Sequence, residues 1–430
     1  MIPRSTRTAI LLVIFFSTML FAVFYNVRSP DLLANWMGGH FYQIGALDQI
    51  YPSDTQTYSM LPPDAWMPYL KDQGYDGSVF PFIYPPLWVH IFGWLTTVTT
   101  YDTLSNLARA INPVLMGSMV VLAWRSMGNT MSVAVYTFIG LLILVSTTIG
   151  FVPIYQNQSQ ILVSFLIVLA IERSRYNAPV IAGVALAIAA SIKLYPALFA
   201  LFWLASGNRK AFGSFIVAGL VLAGASVLLA GWPLHQTFLH EVMIINQTAM
   251  VNLMNTSIDG AIAQLFFDDD LDFVQSAGNM QTQDLSLGWY ILKKSTLWGG
   301  ISAVAMVLTI VVISRLFRKN PVGTPQHDLA WPLVIIIIAL LNPISWSYHY
   351  MPAVAFAPAL LIYYRPSIAV LLLAILFTPF LMIKYVSLPN FGWIKNPDQI
   401  AATLGMIGLA VAFAVAMRRN PRHSNTPDSM

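Results

Sequence analysis

Apolar segments recur along nearly the whole chain, and any fold must accommodate them: about 9–26, 84–98, 106–123, 131–148, 160–171, 178–192, 194–205, 212–230, 297–314, 330–341, 350–364, 366–382 and 400–417. A helical span needs about 20 apolar residues to cross roughly 30 Å of hydrocarbon, and several of these runs come close to that length. Charged side chains make up only 9% of the 430 residues, against about 25% in soluble domains. No soluble core absorbs so much apolar surface, so the chain reads as an all-α polytopic membrane protein. Its 430 residues form a single integral-membrane domain of about 12–13 transmembrane helices.

Two polar stretches interrupt the pattern, 27–83 and 231–296, and they hold 13 of the 18 acids, among them Asp31, Asp54, Asp76, Glu241, Asp259 and Asp284. Basic residues collect instead on short linkers and at the two ends, at Arg4, Arg7, Arg125, Arg173, Arg175, Arg209, Lys210, Arg315, Arg318, Lys319, Arg365 and the tail 418–430 with Arg418, Arg419 and Arg422. The excess of Lys and Arg on cytoplasmic loops puts those linkers inside and both large loops outside. Arg4 and Arg7 precede the first apolar run, and no small-residue cleavage site stands near Phe24-Tyr25-Asn26-Val27. The expectation is therefore an uncleaved first span that starts in the cytoplasm. Thirteen crossings from inside would end outside, against the basic tail, so either 84–98 is a re-entrant or interfacial helix, or the tail lies outside and Arg125 alone marks no cytoplasmic linker.

Cysteine is absent, which excludes disulfides, thiolate metal sites and Cys nucleophiles. No basic run is interleaved with aromatics in a polar segment, so nucleic acid is not an expected partner.

Asp31 follows Arg28-Ser29-Pro30 directly after the first run, at the outer membrane surface. A carboxylate there suits general-base work on a hydroxyl, and Pro30-Asp31 equally suits the capped start of an interfacial helix. The same loop is crowded with aromatics such as Trp36, Tyr51, Tyr58 and Trp66, as in an interfacial belt or a sugar- or lipid-binding surface. It ends on Tyr84-Pro85-Pro86, where the proline pair fixes the entry angle of the next segment. Gln156-Asn157-Gln158-Ser159-Gln160 places four amides and a hydroxyl at the mouth of a span, and each amide offers donor and acceptor to a hydroxyl-rich ligand.

Lys193 interrupts the apolar run from Ala182 to Trp203, and an ionisable group there is costly and functional by default. The length of that run and its basic flanks predict a hairpin of two short helices with Lys193 at the outer turn, where its ammonium meets a phosphate or snorkels to anionic headgroups. In the second loop, Asn246 and Asn255 fit a glycosylation sequon that matters only in a secreted eukaryotic setting. Asp268-Asp269-Asp270 and Asp272 lack EF-hand spacing and read as a solvated acidic run, so no metal site is assigned. The segment Asn342 to Tyr350 closes the series, with Trp346, Tyr348 and His349 at the outer end of a span.

In this order the pieces resemble the polytopic membrane glycosyltransferases of the GT-C class grouped as glycosyltransferase family 87. The resemblance rests on Asp31 with Gly45 and Tyr51, Tyr84-Pro85-Pro86, Asn157-Gln158-Ser159-Gln160, Lys193-Leu194-Tyr195-Pro196, Asn255-Thr256-Ser257 with Gly260, and Ser345-Trp346 with His349. It implies a GT-C-type bundle and a hexose, mannose above all, moved with inversion from a polyprenyl-phosphate donor to a hydroxyl of a lipid or glycan. It implies no cofactor beyond that donor, Asp31 as base, and Lys193, His349, Trp346, Asn157, Gln158, Asn255, Ser257 and Tyr84 around the donor's phosphate and sugar. The expected setting is a bacterial cytoplasmic membrane with the site facing outward. A transporter or lipid flippase is the rival from another class, and another lipid-using transferase such as a glycan polymerase or ligase is the nearer one.

Overall fold

The structure, a computed structural model, describes residues 3–52, 56–75, 77–128, 131–276, 288–382 and 394–421. Asp54, Asp76, Asp284 and Arg422, counted above, lie outside the described residues. Backbone polar groups in an apolar setting must be satisfied within the chain, and helices do this segment by segment. Five described helices have the length and hydropathy to cross a membrane: Arg4–Phe24, Tyr101–Ser126, Arg209–Ala230, Thr296–Lys319 and Pro397–Ala416. Several start on a side chain that accepts a bond from an otherwise unpaired N–H, as Thr100 does from Thr103, Asn208 from Ala211, Ser295 from Trp298 and Asn396 from Gln399. Shorter apolar helices, Val133–Ser146, Pro179–Ile192 and Pro325–Leu341 among them, pack between these. Helices 209–230 and 296–319 bury few residues and expose leucines such as Leu220, Leu228 and Leu297. Exposed apolar surface on that scale belongs against lipid.

The bundle has two chemically distinct ends. At one, Arg125 and Arg173 share the buried carboxylate of Glu172, Arg175 pairs with Asp328, and Arg419 lies over the Tyr364 ring. At the other stand Asp31, Gln158, Lys193 and His349. Helix Pro86–Val98 begins and finishes at this second end: Tyr84 bonds Gln158 just before it, and Tyr101 bonds Ser29 just after it. It therefore starts and ends at one end of the bundle, in keeping with the re-entrant or interfacial reading of this segment. Helix 86–98 instead packs on helix Pro30–Gln43, where the two backbones meet at Gly39.

Lys193 sits where helix Pro179–Ile192 stops and a 3-10 turn, Tyr195–Phe199, leads into helix Ala200–Ala205. Asn208 then bonds Ser174 back at the basic end, which closes the predicted hairpin. The second large loop departs from a purely helical reading. Helix Trp232–Asn246 leads into an antiparallel sheet of β1 (Thr248–Val251), β2 (Asp272–Gln275) and β3 (Gly288–Lys293), ordered β1-β3-β2 with Thr248 opposite Lys293. Asp268–Asp270 form an exposed or half-exposed turn.

A Cβ added at Gly39 would stand 2.5 Å from the backbone carbon of Phe92, so helices 30–43 and 86–98 can approach this closely only without a side chain there. Gly39→Ala is expected to cost about 1–3 kcal/mol by forcing them apart. It should lower the thermal midpoint in detergent, and an unchanged midpoint would contradict this packing.

Candidate active site

Between the Asp31 end of the bundle and the loop sheet lies a cavity of about 570 Å³. One wall is polar, built from Asp31, Gln158, Lys193, Tyr348 and His349, and the rest is largely apolar, with Val152, Ile192, Leu198 and Val242 towards the bundle and Tyr58, Met60 and Trp289 beneath the loops. The polar wall forms where the chain leaves its helices. Pro30 and Asp31 occupy the first positions of helix 30–43, so the carboxyl projects at a helix N-terminus, where negative charge is favoured. Asn157 ends helix Thr148–Gln156 in the left-handed region at φ 50°, which Asn tolerates better than most residues, and this turn aims Gln158 at the cavity.

Gln158 is the hub. Its Nε2 donates to Oδ2 of Asp31 at 2.8 Å and to the Tyr348 hydroxyl at 3.1 Å. Its Oε1 accepts from the Tyr84 hydroxyl at 2.6 Å and from Ser159 Oγ at 3.0 Å. The Lys193 ammonium lies over the rings of Tyr348 and Tyr84, 5.2 and 5.8 Å from their centroids, and 3.4 Å from Nε2 of His349. An ammonium only donates, so Nε2 accepts and the ring proton sits on Nδ1, a buried atom with no hydrogen-bond partner. Lys193 thus offers N–H donors to an anion in the cavity, and His349 Nε2 holds its ammonium in place.

Burial pushes the Asp31 carboxyl well above the usual carboxylate range, while the Lys193 charge and the Gln158 hydrogen bond pull it back. Burial lowers Lys193, and Asp31 opposes that shift. A carboxylate raised by desolvation and partly held by a cation is poised to take a proton near neutral pH.

Of the residues expected from sequence, Asp31, Tyr84, Gln158, Lys193, Trp346 and His349 line this one cavity. Asn157, Asn255 and Ser257 do not. The Asn157 amide is engaged by Ser29, Ser105 and Asn112. Asn255 accepts from the Ser345 backbone N–H at 2.7 Å and donates to Met250 O, and Ser257 caps helix Ile258–Phe266 while donating to Pro343 O. With Thr256 N bonded to Ser345 O and Ser347 N to Met254 O, they staple the segment that carries Trp346, Tyr348 and His349. Tyr58, Trp289 and Tyr195 line the cavity without having been singled out as ligands, because a lone aromatic in a loop looks the same whether it faces lipid or a ligand. Arg109 was missed too, although it breaks the apolar run 106–123 as visibly as Lys193 breaks its own.

The helical bundle thus holds a half-apolar cavity with a poised carboxyl and a buried ammonium, a shape and polarity suited to an amphiphilic ligand. Residues 82–278, a little under half of the chain, match the model of glycosyltransferase family 87. Tyr84, Asn157, Gln158, Lys193, Asn255 and Ser257 fall within the matched stretch, and Asp31, Trp346 and His349 outside it. The chain is also 27% identical over 300 residues to the polyprenol-phosphate-mannose-dependent alpha-(1-2)-phosphatidylinositol mannoside mannosyltransferase of Mycobacterium tuberculosis. That match covers 65% of this chain and 62% of the relative.

The infrared carboxyl band of Asp31, identified by its loss in Asp31→Asn, should titrate above the ordinary value of about 4. Removing a donor or a cation disfavours the charged carboxylate, so the midpoint should rise by about one unit in Gln158→Leu and rise likewise in Lys193→Met. A midpoint that stays put in both variants contradicts this electrostatic arrangement.

Proposed function

We infer that this protein moves a hexose, mannose first among the choices, from a polyprenyl-phosphate donor to a hydroxyl of a lipid or glycan acceptor. One observation carries the reading: a carboxyl group and the Lys193 ammonium face the same cavity, whose remaining walls are apolar enough for an isoprenoid chain. The relative's dependence on polyprenol-phosphate-mannose supports the donor class and the sugar. No cofactor enters, because the donor's phosphoester is already a good leaving group.

Asp31 takes the acceptor's hydroxyl proton as the acceptor oxygen forms its bond to the anomeric carbon. The bond from that carbon to the phosphate oxygen breaks on the opposite face, its electron pair leaves with polyprenyl phosphate, and the anomeric configuration inverts. Lys193 Nζ, held by His349 Nε2, meets the negative charge growing on the phosphate, where a preoriented donor helps most. Gln158 and Tyr84 fix the carboxylate, and Trp346 supplies an apolar face to the sugar or the isoprenoid.

In detergent, with radiolabelled polyprenyl-phosphate mannose and a membrane lipid extract, the parent should transfer label and Asp31→Asn should be about 100-fold slower or worse. Lys193→Met should lower kcat more than Lys193→Arg. Full turnover by Asp31→Asn would refute the base, and transport between vesicle compartments without any transfer would favour the rival reading.

The acidic site end faces the exterior and the basic end the cytoplasm of a bacterial inner membrane, by the asymmetry of Lys and Arg. Because the chain has no cysteine, single cysteines can report this. In intact cells an impermeant maleimide should label Gln73→Cys and spare Lys319→Cys, both of which replace exposed residues. The reverse pattern would invert the orientation.

A further inference from the structure

Helix 101–126 carries Tyr101, Ser105 and Arg109 at intervals of four residues, which puts them on one face. All three converge on the chain just before Asp31. The Tyr101 hydroxyl accepts from the Ser29 N–H at 3.0 Å and donates to the Ser29 carbonyl at 2.9 Å. Ser105 Oγ stands 3.2 Å from Ser29 Oγ, and Arg109 Nη2 donates to the Val27 carbonyl and to Ser29 Oγ. The same face continues through Asn112, whose Nδ2 donates to Asn157 Oδ1 at 3.0 Å, while Asn157 Nδ2 reaches Ser29 Oγ at 3.0 Å and the Ser105 carbonyl at 3.1 Å.

Two features are unexplained by stability alone. Ser29 is the N-cap of helix 30–43, yet its hydroxyl makes no capping bond to that helix and is spent on the neighbouring helix and on Asn157. A serine in this position normally bonds the second or third N–H of its own helix, a gain of about 1 kcal/mol that is forgone here. Arg109 is buried, with Nε and Nη1 unpartnered, and a buried cation without full partners is expensive.

We propose that Tyr101, Ser105, Arg109 and Asn112 form a positioning clamp that holds Ser29 and Asn157 together, and so sets the Asp31 carboxyl against the Gln158 amide. Asp31 follows Ser29 by two residues and Gln158 follows Asn157 by one, so both partners of the 2.8 Å hydrogen bond hang from the same helix face. None of the clamp residues lines the cavity. The clamp rests on the reading of Asp31 as base and adds to it the residues that keep the base aimed.

Asn157→Gly is the informative variant, because glycine keeps the left-handed backbone while removing the amide. In the polyprenyl-phosphate mannose transfer assay its kcat should fall about 10- to 100-fold, with the donor KM within about threefold of the parent, as expected for a misaimed reacting group. Its thermal midpoint should fall modestly, because Ser29, Ser105 and Asn112 lose a buried partner, so kcat is compared at matched amounts of folded protein. The acidic limb of its kcat profile should move to higher pH, because the carboxylate loses its fixed amide, a shift that mere loosening of the fold would not produce. Arg109→Lys should retain more kcat than Arg109→Met at matched amounts of folded protein. Parental kcat and pH limb in Asn157→Gly, beside an inactive Asp31→Asn, would overturn the clamp and leave the base reading intact. Parental turnover by Asp31→Asn would remove both.

Discussion

A backbone that leaves the helix inside an apolar bundle must find new partners for its peptide groups, and such breaks survive only where protein encloses them or a polar cavity receives them. The site is assembled from breaks of this kind. Asn157 turns the chain between two helices, Lys193 separates two halves of a hairpin, and the segment from Asn342 to Tyr350 separates a span from the chain that returns. Each break is secured by side chains from a distant part of the sequence: Asn112 for the first, Trp88 through the Ser191 carbonyl for the second, and Asn255 with Ser257 for the third. The polar residues that read as ligands are thus divided between those that face the cavity and those that keep its walls open.

That division explains where the sequence was readable and where it was not. Ionisable groups in apolar surroundings stand out because the solvation cost of placing them there is high, which is why Lys193 shows from its neighbours alone, whereas Asp31, in a polar stretch that equally suits a helix cap, is singled out only by the family resemblance. Amides carry no such mark. Gln158 faces Asp31, while Asn157, one residue earlier, faces away and pins Ser29, although both offer the same donors and acceptors. Only the left-handed turn at Asn157 separates their roles, and its direction depends on the helix packed beside it. Helix 86–98 shows another case, in which the parity of the basic residues left two readings and the hydrogen bonds at its two ends favour the one that starts and ends on one side. The short strands of the 248–293 sheet lie beyond such reasoning, because four to six residues of mixed polarity carry too little period to declare a partner.

The cavity's mixed character follows from the same architecture. Its polar groups come from helix ends and breaks, and its apolar walls come from the flanks of spans and from the underside of the loops. An amphiphilic donor would place its phosphate at the junction, where Lys193 and His349 stand, with the lipid tail along Val152, Ile192 and Leu198 and the sugar towards Asp31. An acceptor would then approach from beneath the loop sheet, past Trp289 and Tyr58, on the carboxylate's side of the anomeric carbon.

A structure of the protein with an unreactive polyprenyl-phosphate sugar bound tests this account most directly. The account predicts phosphate oxygens within about 3 Å of Lys193 Nζ, beside His349, and the anomeric carbon turned towards the Asp31 carboxyl. A donor whose phosphate lies outside this cavity, or whose sugar points away from Asp31, would contradict it.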